Sequence, residues 1–271
     1  MLFPNHLVLI RGGGDIATGV AYRLHKAGFP LIVLELERPL VIRRTVALAT
    51  AVLQEQVTIE DLHAQLVQTP EQALNLAQTG TIPVFVAPQL DNGQWPTSNH
   101  HLIIVDARLA KRNLDTTIDQ GDLVITLGPG FTAGVDCHAI IETVRGHTLG
   151  RVIWHGSALP NTGMPGIIAG KGKERVLRAP AAGIVNWQLK IGDLVEAGDV
   201  IGTVNGQPVS APFAGVVRGL IAPETAVTQG FKIGDVDARK EIDACFTISD
   251  KALAIGGGVL EAILTWMNKS E

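Results

Sequence analysis

Three glycines set between an apolar strand and a helix have the best-defined chemical use in this sequence. Residues 7–10, LVLI, read as a buried strand, and residues 16–27 read as a helix with Val20, Leu24 and Ala27 on one face. Between them Gly12, Gly14 and Ala17 fit the pattern G-x-G-x-x-A. The first glycine allows the tight turn, the second lets a phosphate reach the main chain, and the small third residue lets helix and strand pack closely. The amides of Gly12, Gly13 and Gly14 at such a helix start favour an anion. A second apolar run, 31–34, ends in Glu35, an acid about twenty residues beyond the glycines, where a ribose hydroxyl is read. The pattern predicts a nucleotide or dinucleotide-type ligand; the competing reading keeps the same turn for packing alone. Arg11 stands where an apolar strand residue is usual. Asp15 suits the helix dipole but repels a pyrophosphate, so it is expected to pair with Arg11, or to meet a metal-bound or differently placed ligand.

Other groups gather at strand ends, the edge where open α/β sheets bind ligands. Arg38, Arg43 and Arg44 follow the second strand and could hold an anion through bidentate contacts, or could be surface charges. Asp106 and Arg108 follow a strand at 102–105, with Lys111 and Arg112 one turn further; they read equally as site residues or as a cap and a surface charge. The strand at 123–127 runs into a second glycine turn containing Gly128, Gly130 and Gly134, so both glycine turns could line one crevice. Asp136, His138 and Glu142 follow. On a helix His138 and Glu142 share a face while Asp136 does not, so no metal site is expected from them; acid-base work by His138 or His147 stays open. His100 and His101 read as solvated loop residues. Cys137 and Cys245 lack C-x-x-C spacing and read as small buried residues, with a reactive thiol as the alternative.

The composition suits such a site. With 271 residues, 46% hydrophobic residues and a net charge of −4, the chain is a globular protein with a sizeable core, not a coat for nucleic acid. No apolar run is long enough for a membrane span and no signal segment opens the chain, so a cytoplasmic location is expected. Thr58 with Asp61 resembles a capping box for a helix over 60–67, and Thr69, Pro70 and Gln72 open another that ends at Gly80.

From Arg175 the texture changes to short apolar strands with glycine turns. APAAGIV at 179–185 recurs as APFAGVV at 211–217, and KIGD at 190–193 recurs at 232–235, read as a repeated turn. The run from 179 to 217 resembles a biotinyl/lipoyl-type barrel-sandwich domain, whose carrier members expose a modified lysine on the central hairpin. Here the hairpin is VNGQPV, a tight Asn205-Gly206 turn without lysine, which argues against a swinging arm. The C-terminal stretch reads as a short strand, a Ser249 N-cap and a long helix. Gly256, Gly257 and Gly258 inside that helix each cost about 1 kcal/mol, which close packing onto the first domain would offset; anion binding there is the minority reading.

The expected architecture is α/β: a Rossmann-like parallel-sheet domain over 1–170, a barrel-sandwich domain over 174–242, and a strand and helix over 243–271 that pack back on the first domain. RGGGDIATG, ELERPLVIRRTVALATAV, VDARLAKRN, GPGFTAG, HAIIETVRGHTLGRVI, the lysine-less repeat and SDKALAIGGGVLEAIL, in that order, resemble the YqeB family over nearly the whole chain. The resemblance implies an accessory role in maturing selenium-dependent molybdenum hydroxylases, with a molybdopterin-type cofactor or a dinucleotide as ligand and such a hydroxylase as partner. It assigns no catalytic residue. An NAD(P)-dependent oxidoreductase is the rival reading, because the same fingerprint serves hydride chemistry. A biotinyl/lipoyl-like interaction module is the third.

Overall fold

Strand runs that are apolar throughout belong inside a sheet covered on both faces, and four of them form the centre of this one. The structure, a computed structural model, describes residues 1–95, 100–161, 163 and 166–270. Two compact units are built from it: residues 1–39, 47–161 and 248–271, and residues 40–46 and 162–247.

In the first unit the strands are β1 (His6–Arg11), β2 (Leu31–Glu35), β3 (Gln56–Ile59), β4 (Leu62–Val67), β5 (Ile82–Val86), β6 (His101–Asp106), β7 (Leu123–Leu127), β8 (Ala139–Ile141) and β9 (Val152–Ile153). They form one nine-stranded sheet in the order β3-β4-β5-β2-β1-β6-β7-β8-β9. The seven from β4 to β8 are parallel, and β3 and β9 run antiparallel at the edges. Alternate residues of the central strands, Leu7, Leu9, Ile32, Leu34, Leu102, Ile104 and Val124, share one core with Trp95 and Cys137. Helix α1 (Asp15–Ala27) starts after the extended Gly14 and ends at Gly28, whose φ of 90° closes the last turn. A short α2 (Thr50–Gln54) follows, and α3 (Pro70–Ala77) is capped by Thr69, whose hydroxyl accepts from the Gln72 amide.

Two local patterns gave way, one to tertiary pairing and one to a turn. The helix expected over 60–67 is a β-hairpin instead: β3 and β4 pair antiparallel across Glu60, whose φ is 53°. Leu62 and Ala64 are buried while His63 and Gln65 are exposed, a period of two that the parallel partner β5 fixes. The short strand expected before the last helix does not form: residues 246–248 are a turn and irregular chain that follow a 3-10 turn at Asp243–Cys245. Beyond it α4 (Asp250–Ser270) begins with the Ser249 hydroxyl accepting from the Ala252 amide.

Helix α4 lies against α1 at main-chain distance. A Cβ on Gly256 would strike the Gly19 carbonyl, one on Gly19 would strike Ala252, and one on Gly258 would strike the Gly150 carbonyl; Gly257 faces open space. Among the described residues no helix is long and apolar enough to cross a membrane.

The second unit is all antiparallel, with strands β10 (Val176–Arg178), β11 (Gly183–Trp187), β12 (Leu194–Val195), β13 (Val200–Val204), β14 (Gln207–Ser210), β15 (Gly215–Leu220), β16 (Ala226–Val227) and β17 (Lys232–Asp237). They make two four-stranded sheets, β10-β17-β15-β12 and β14-β13-β11-β16, around a core that includes Val185, Ile201, Val204, Val216, Val217, Ile233 and Val236. The two Ala-Pro repeats lead into β11 and β15, one in each sheet. Asn205 and Gly206, with φ of 50° and 76°, form the two-residue turn between β13 and β14. The second KIGD is not a turn: residues 232–235 lie within β17, while the first precedes β12 with Asp193 accepting from the Lys190 amide.

The glycines of α4 make a paired test. Gly256→Ala is expected to destabilise the protein by about 1–3 kcal/mol through overpacking against Gly19. Gly257→Ala, into open space, is expected to stabilise it by about 1 kcal/mol. Urea unfolding of both variants reads the difference, and equal effects would refute the close contact.

Candidate functional site

Parallel register places Arg11 beside Asp106 and Asp106 beside Thr126, so polar residues line up at the C-terminal ends of β1, β6 and β7. The Arg11 side chain is 3% exposed; its Nη2 donates to both oxygens of Asp115 at 2.8 Å and its Nη1 to Thr116 Oγ1 at 3.2 Å. Asp106 accepts from the Thr116 hydroxyl at 2.7 Å and from the Arg108 amide and guanidinium at 2.7–3.1 Å. Burial pushes the Asp106 carboxyl up, but Arg108 and Thr116 outweigh it and hold it below the usual carboxylate range. Arg108 also reaches Asp115 at 2.7 Å. The expected pairing of Arg11 with Asp15 is therefore replaced by Asp115, a residue the sequence did not single out. This network is closed on itself, and its work is to hold the loop at 107–116.

That loop rests against both glycine turns. Gly12, with φ of 90°, has Arg108 so close that a Cβ would lie 3.2 Å from its Cα; at Gly130, with φ of 111°, a Cβ would lie 2.6 Å from Arg112 Cα. The two turns therefore share one edge of the sheet. Their amides are partly used already: the Gly12 amide donates to the Leu34 carbonyl at 2.7 Å, and the Gly13 amide to Glu35 Oε2 at 2.8 Å. Glu35, 8% exposed, also accepts from the Leu36 amide through Oε1 at 2.7 Å. Its carboxylate thus occupies the first turn as an internal anion. Burial raises its pKa, against the lowering effect of those two amides. Ala49 closes the same turn by donating to the Gly13 carbonyl, and Gly128 packs on Thr143.

A second group of charges lies where α1 and α4 begin. Lys251, in the first turn of α4, is half-buried, and its ammonium makes no hydrogen bond among the described residues. Burial, then Lys111 and Arg145, lower its pKa, while Asp15 and Glu142 oppose them. Lys111 follows Leu109 in a loop where both have positive φ, 53° and 65°, a strained conformation for residues with a side chain. Arg145 pairs with Asp250 at 2.8 Å. Neither Lys251 nor Arg145 was expected from the sequence. One signal was present: a lysine in the first turn of a helix opposes the helix dipole.

No family model matches the chain. The protein described as "Uncharacterized protein YqeB" of Escherichia coli (strain K12) is 51% identical over 276 residues, covering 99% of this chain and 50% of that protein. Over that shared stretch, the chain belongs to the YqeB family. It spans about half the length of the curated relative it matches. Two solved structures share short stretches with it: an aspartoacylase family protein from Mesorhizobium loti, at 21% identity over 23% of this chain and 22% of that one, TM-score 0.22, and the ectoine utilization protein EutE (DoeB) from Ruegeria pomeroyi, at 21% identity over 31% and 27%, TM-score 0.22. Likenesses of that extent carry no inference about fold or chemistry.

The remaining candidates of this YqeB-family chain are dispersed. Arg38 is exposed after β2, whereas Arg43 and Arg44 belong to the second unit, where Arg43 donates to the Ala244 carbonyl at 2.9 Å and Arg44 to the Leu220 carbonyl at 2.7 Å. Asp136, His138 and Glu142 lie on no helix; residues 139–141 are β8. His138 Nδ1 accepts from the Val124 amide, and burial lowers its pKa. Asp136 holds the Thr132 amide, and Glu142 those of Thr143, Val144 and Leu159. His101 opens β6 rather than sitting in a loop, and His147 is exposed in a turn. Among the described residues no group of three or more His, Cys, Asp or Glu is placed to hold a metal ion. Both cysteines are buried, and burial pushes the Cys137 thiol up to about 11.

Glu35 supplies a pH test. Its raised pKa means the folded state binds its proton more tightly than the unfolded state, so the associated stability is full below the unfolded value of about 4.3 and is lost as pH rises through the folded value. The stability of the native protein minus that of Glu35→Gln, from urea unfolding between about pH 4 and pH 7, is expected to fall with rising pH. A flat or rising difference would contradict the raised pKa and show that the Gly13 and Leu36 amides outweigh burial at this carboxylate.

Proposed function

We propose that this chain is an accessory or maturation factor for a selenium-dependent molybdenum hydroxylase and that its first unit binds a phosphate-bearing cofactor, of molybdopterin or nucleotide type. Membership of the YqeB family supports the pathway, and the geometry supports the ligand class. In this reading the nine-stranded sheet is a Rossmann-like cofactor-binding core, and the antiparallel unit is a barrel-sandwich domain of biotinyl/lipoyl type without a carrier lysine. The observation that carries the ligand class is Lys251: a half-buried ammonium with no hydrogen bond, beside Lys111 and Arg145, where α1 and α4 both begin.

A phosphate there would accept from Lys251 and Lys111 and from the first amides of α1, which lead no intrahelical bond. It would lie beside the glycine turn rather than inside it, because Glu35 and Ala49 fill the turn. Asp15, in the first turn of α1, would turn the phosphate toward α4. The strained loop at 109–111 presents Lys111 to the same place.

Mass spectrometry of small molecules released from the protein purified from its native host tests this reading, and a molybdopterin or nucleotide is the expected find. Lys251→Met is expected to weaken binding of that compound about thirtyfold or more, the effect of deleting one member of a buried charge pair. Release of no phosphate-bearing compound, or an unchanged affinity in Lys251→Met, would overturn it. Recovery of a nicotinamide dinucleotide alone would favour the oxidoreductase reading instead.

A further inference from the structure

The second unit contains a charge its own structure does not match. Arg218, on β15, is 8% exposed, and its buried Nε has no hydrogen-bond partner. The nearest carboxylate oxygens are those of Asp237, 3.7 Å from Nε, and of Asp235, 4.0 Å from Nη1, both beyond hydrogen-bond reach. Each of those carboxylates is engaged elsewhere. Arg175 donates to both oxygens of Asp235 at 2.5 and 2.6 Å, and Arg239 grips Asp237 at 2.7 and 3.0 Å.

Other groups nearby add to the imbalance. Arg43, also 8% exposed, lies close enough to disfavour the charge of Arg218, which burial disfavours most. Asp235 and Asp237 thus serve three arginines, Arg175, Arg218 and Arg239, and Glu241 stands 3.6 Å from Arg239. The adjacent Cys245 thiol supplies no counter-charge, because burial raises its pKa.

The backbone is shaped to produce this placement. Val217 pairs with Val236 and Gly219 with Asp235, which leaves Arg218 as the extra residue of a β-bulge in the β15–β17 ladder. A bulge re-aims the side chain it carries, and bulges cluster beside functional sites. At Gly219 the segment 40–46 approaches so closely that a Cβ would lie 3.0 Å from the Ile42 carbonyl oxygen, which brings Arg43 alongside. A guanidinium largely withdrawn from water with only two loose ion pairs and no hydrogen bond at Nε is costly, and a bulge that puts it there favours a further partner.

We propose that Arg218, with Arg43, forms a binding site in the second unit for one oxyanion group, a phosphate, sulfate or carboxylate that takes the arginine fork. The site is separate from the cofactor site of the first unit and does not depend on that reading.

Isothermal titration of the full chain with inorganic phosphate, sulfate or acetate at constant ionic strength tests it. Saturable binding of one of these anions is expected, with phosphate and sulfate against acetate distinguishing a tetrahedral from a planar group. Arg218→Leu is expected to remove that binding and, in anion-free buffer, to unfold at the same temperature as the native protein or higher, since it deletes an unmatched charge. Arg218→Lys keeps the charge without the fork and is expected to bind about tenfold or more weakly. The Lys251→Met protein must retain this binding whatever happens to the first site; its loss there, an isotherm unchanged in Arg218→Leu, or no saturable binding by the native chain overturns the proposal. Should Arg218→Leu fail to fold, the native, Lys251→Met and Arg218→Lys isotherms decide.

Discussion

Contact between two helix backbones at Gly19 and Gly256 governs the first unit. Helices usually meet through side chains, about 8–10 Å between axes, and only residues without a Cβ let carbonyl and Cα touch directly. Here that touch fixes the height of α4 along α1, and with it the position of everything α4 carries. Lys251 comes level with Asp15 because Ala252 lies on Gly19 one turn along. The intrinsic cost of three successive glycines in a helix is offset at two of them by packing, and Gly257 is the one left without compensation.

The two units treat buried charge in opposite ways. In the first, Arg11, Asp106, Arg108, Asp115 and Thr116 satisfy one another, and the result is a rigid loop laid over the glycine turns. Glu35 extends the same logic, with a carboxylate spent on main-chain amides. In the second, Arg218 stands among aspartates already claimed by stronger partners. A satisfied network rigidifies; an unsatisfied cation in low dielectric is poised for something else. This contrast matters more than the number of charges, since closed ion-pair clusters contribute little to binding beyond the shape they hold.

Much of the parallel core was legible because burial on both faces leaves an unmistakable trace: LVLI, LIVL, LIIV and LVITL became β1, β2, β6 and β7 almost residue for residue. The Asn205-Gly206 turn and the Thr69 cap were legible for a different reason, since each is determined by a few adjacent residues. Residues 58–67 were not. Their helix-cap pattern is real chemistry, but pairing of β4 along β5 outweighs it, and that partner lies 18 positions away, as in Ala64 beside Ile82. The candidate site was legible only as an edge. Gly12 and Gly130 could be guessed to share it, but Asp115, Lys251 and Arg145 come from segments far apart in sequence, with no spacing to connect them. Arg43 and Arg44 misled in the reverse sense: adjacent to β2 in sequence, they are built into the antiparallel unit.

The short strap at 40–46 has a genetic corollary. The polypeptide leaves the first unit after residue 39, returns at 47, departs again after 161 and comes back at 248. Neither unit is therefore a contiguous cassette. Cutting the gene once, anywhere, divides the first unit between two fragments, so no single cut yields both units whole.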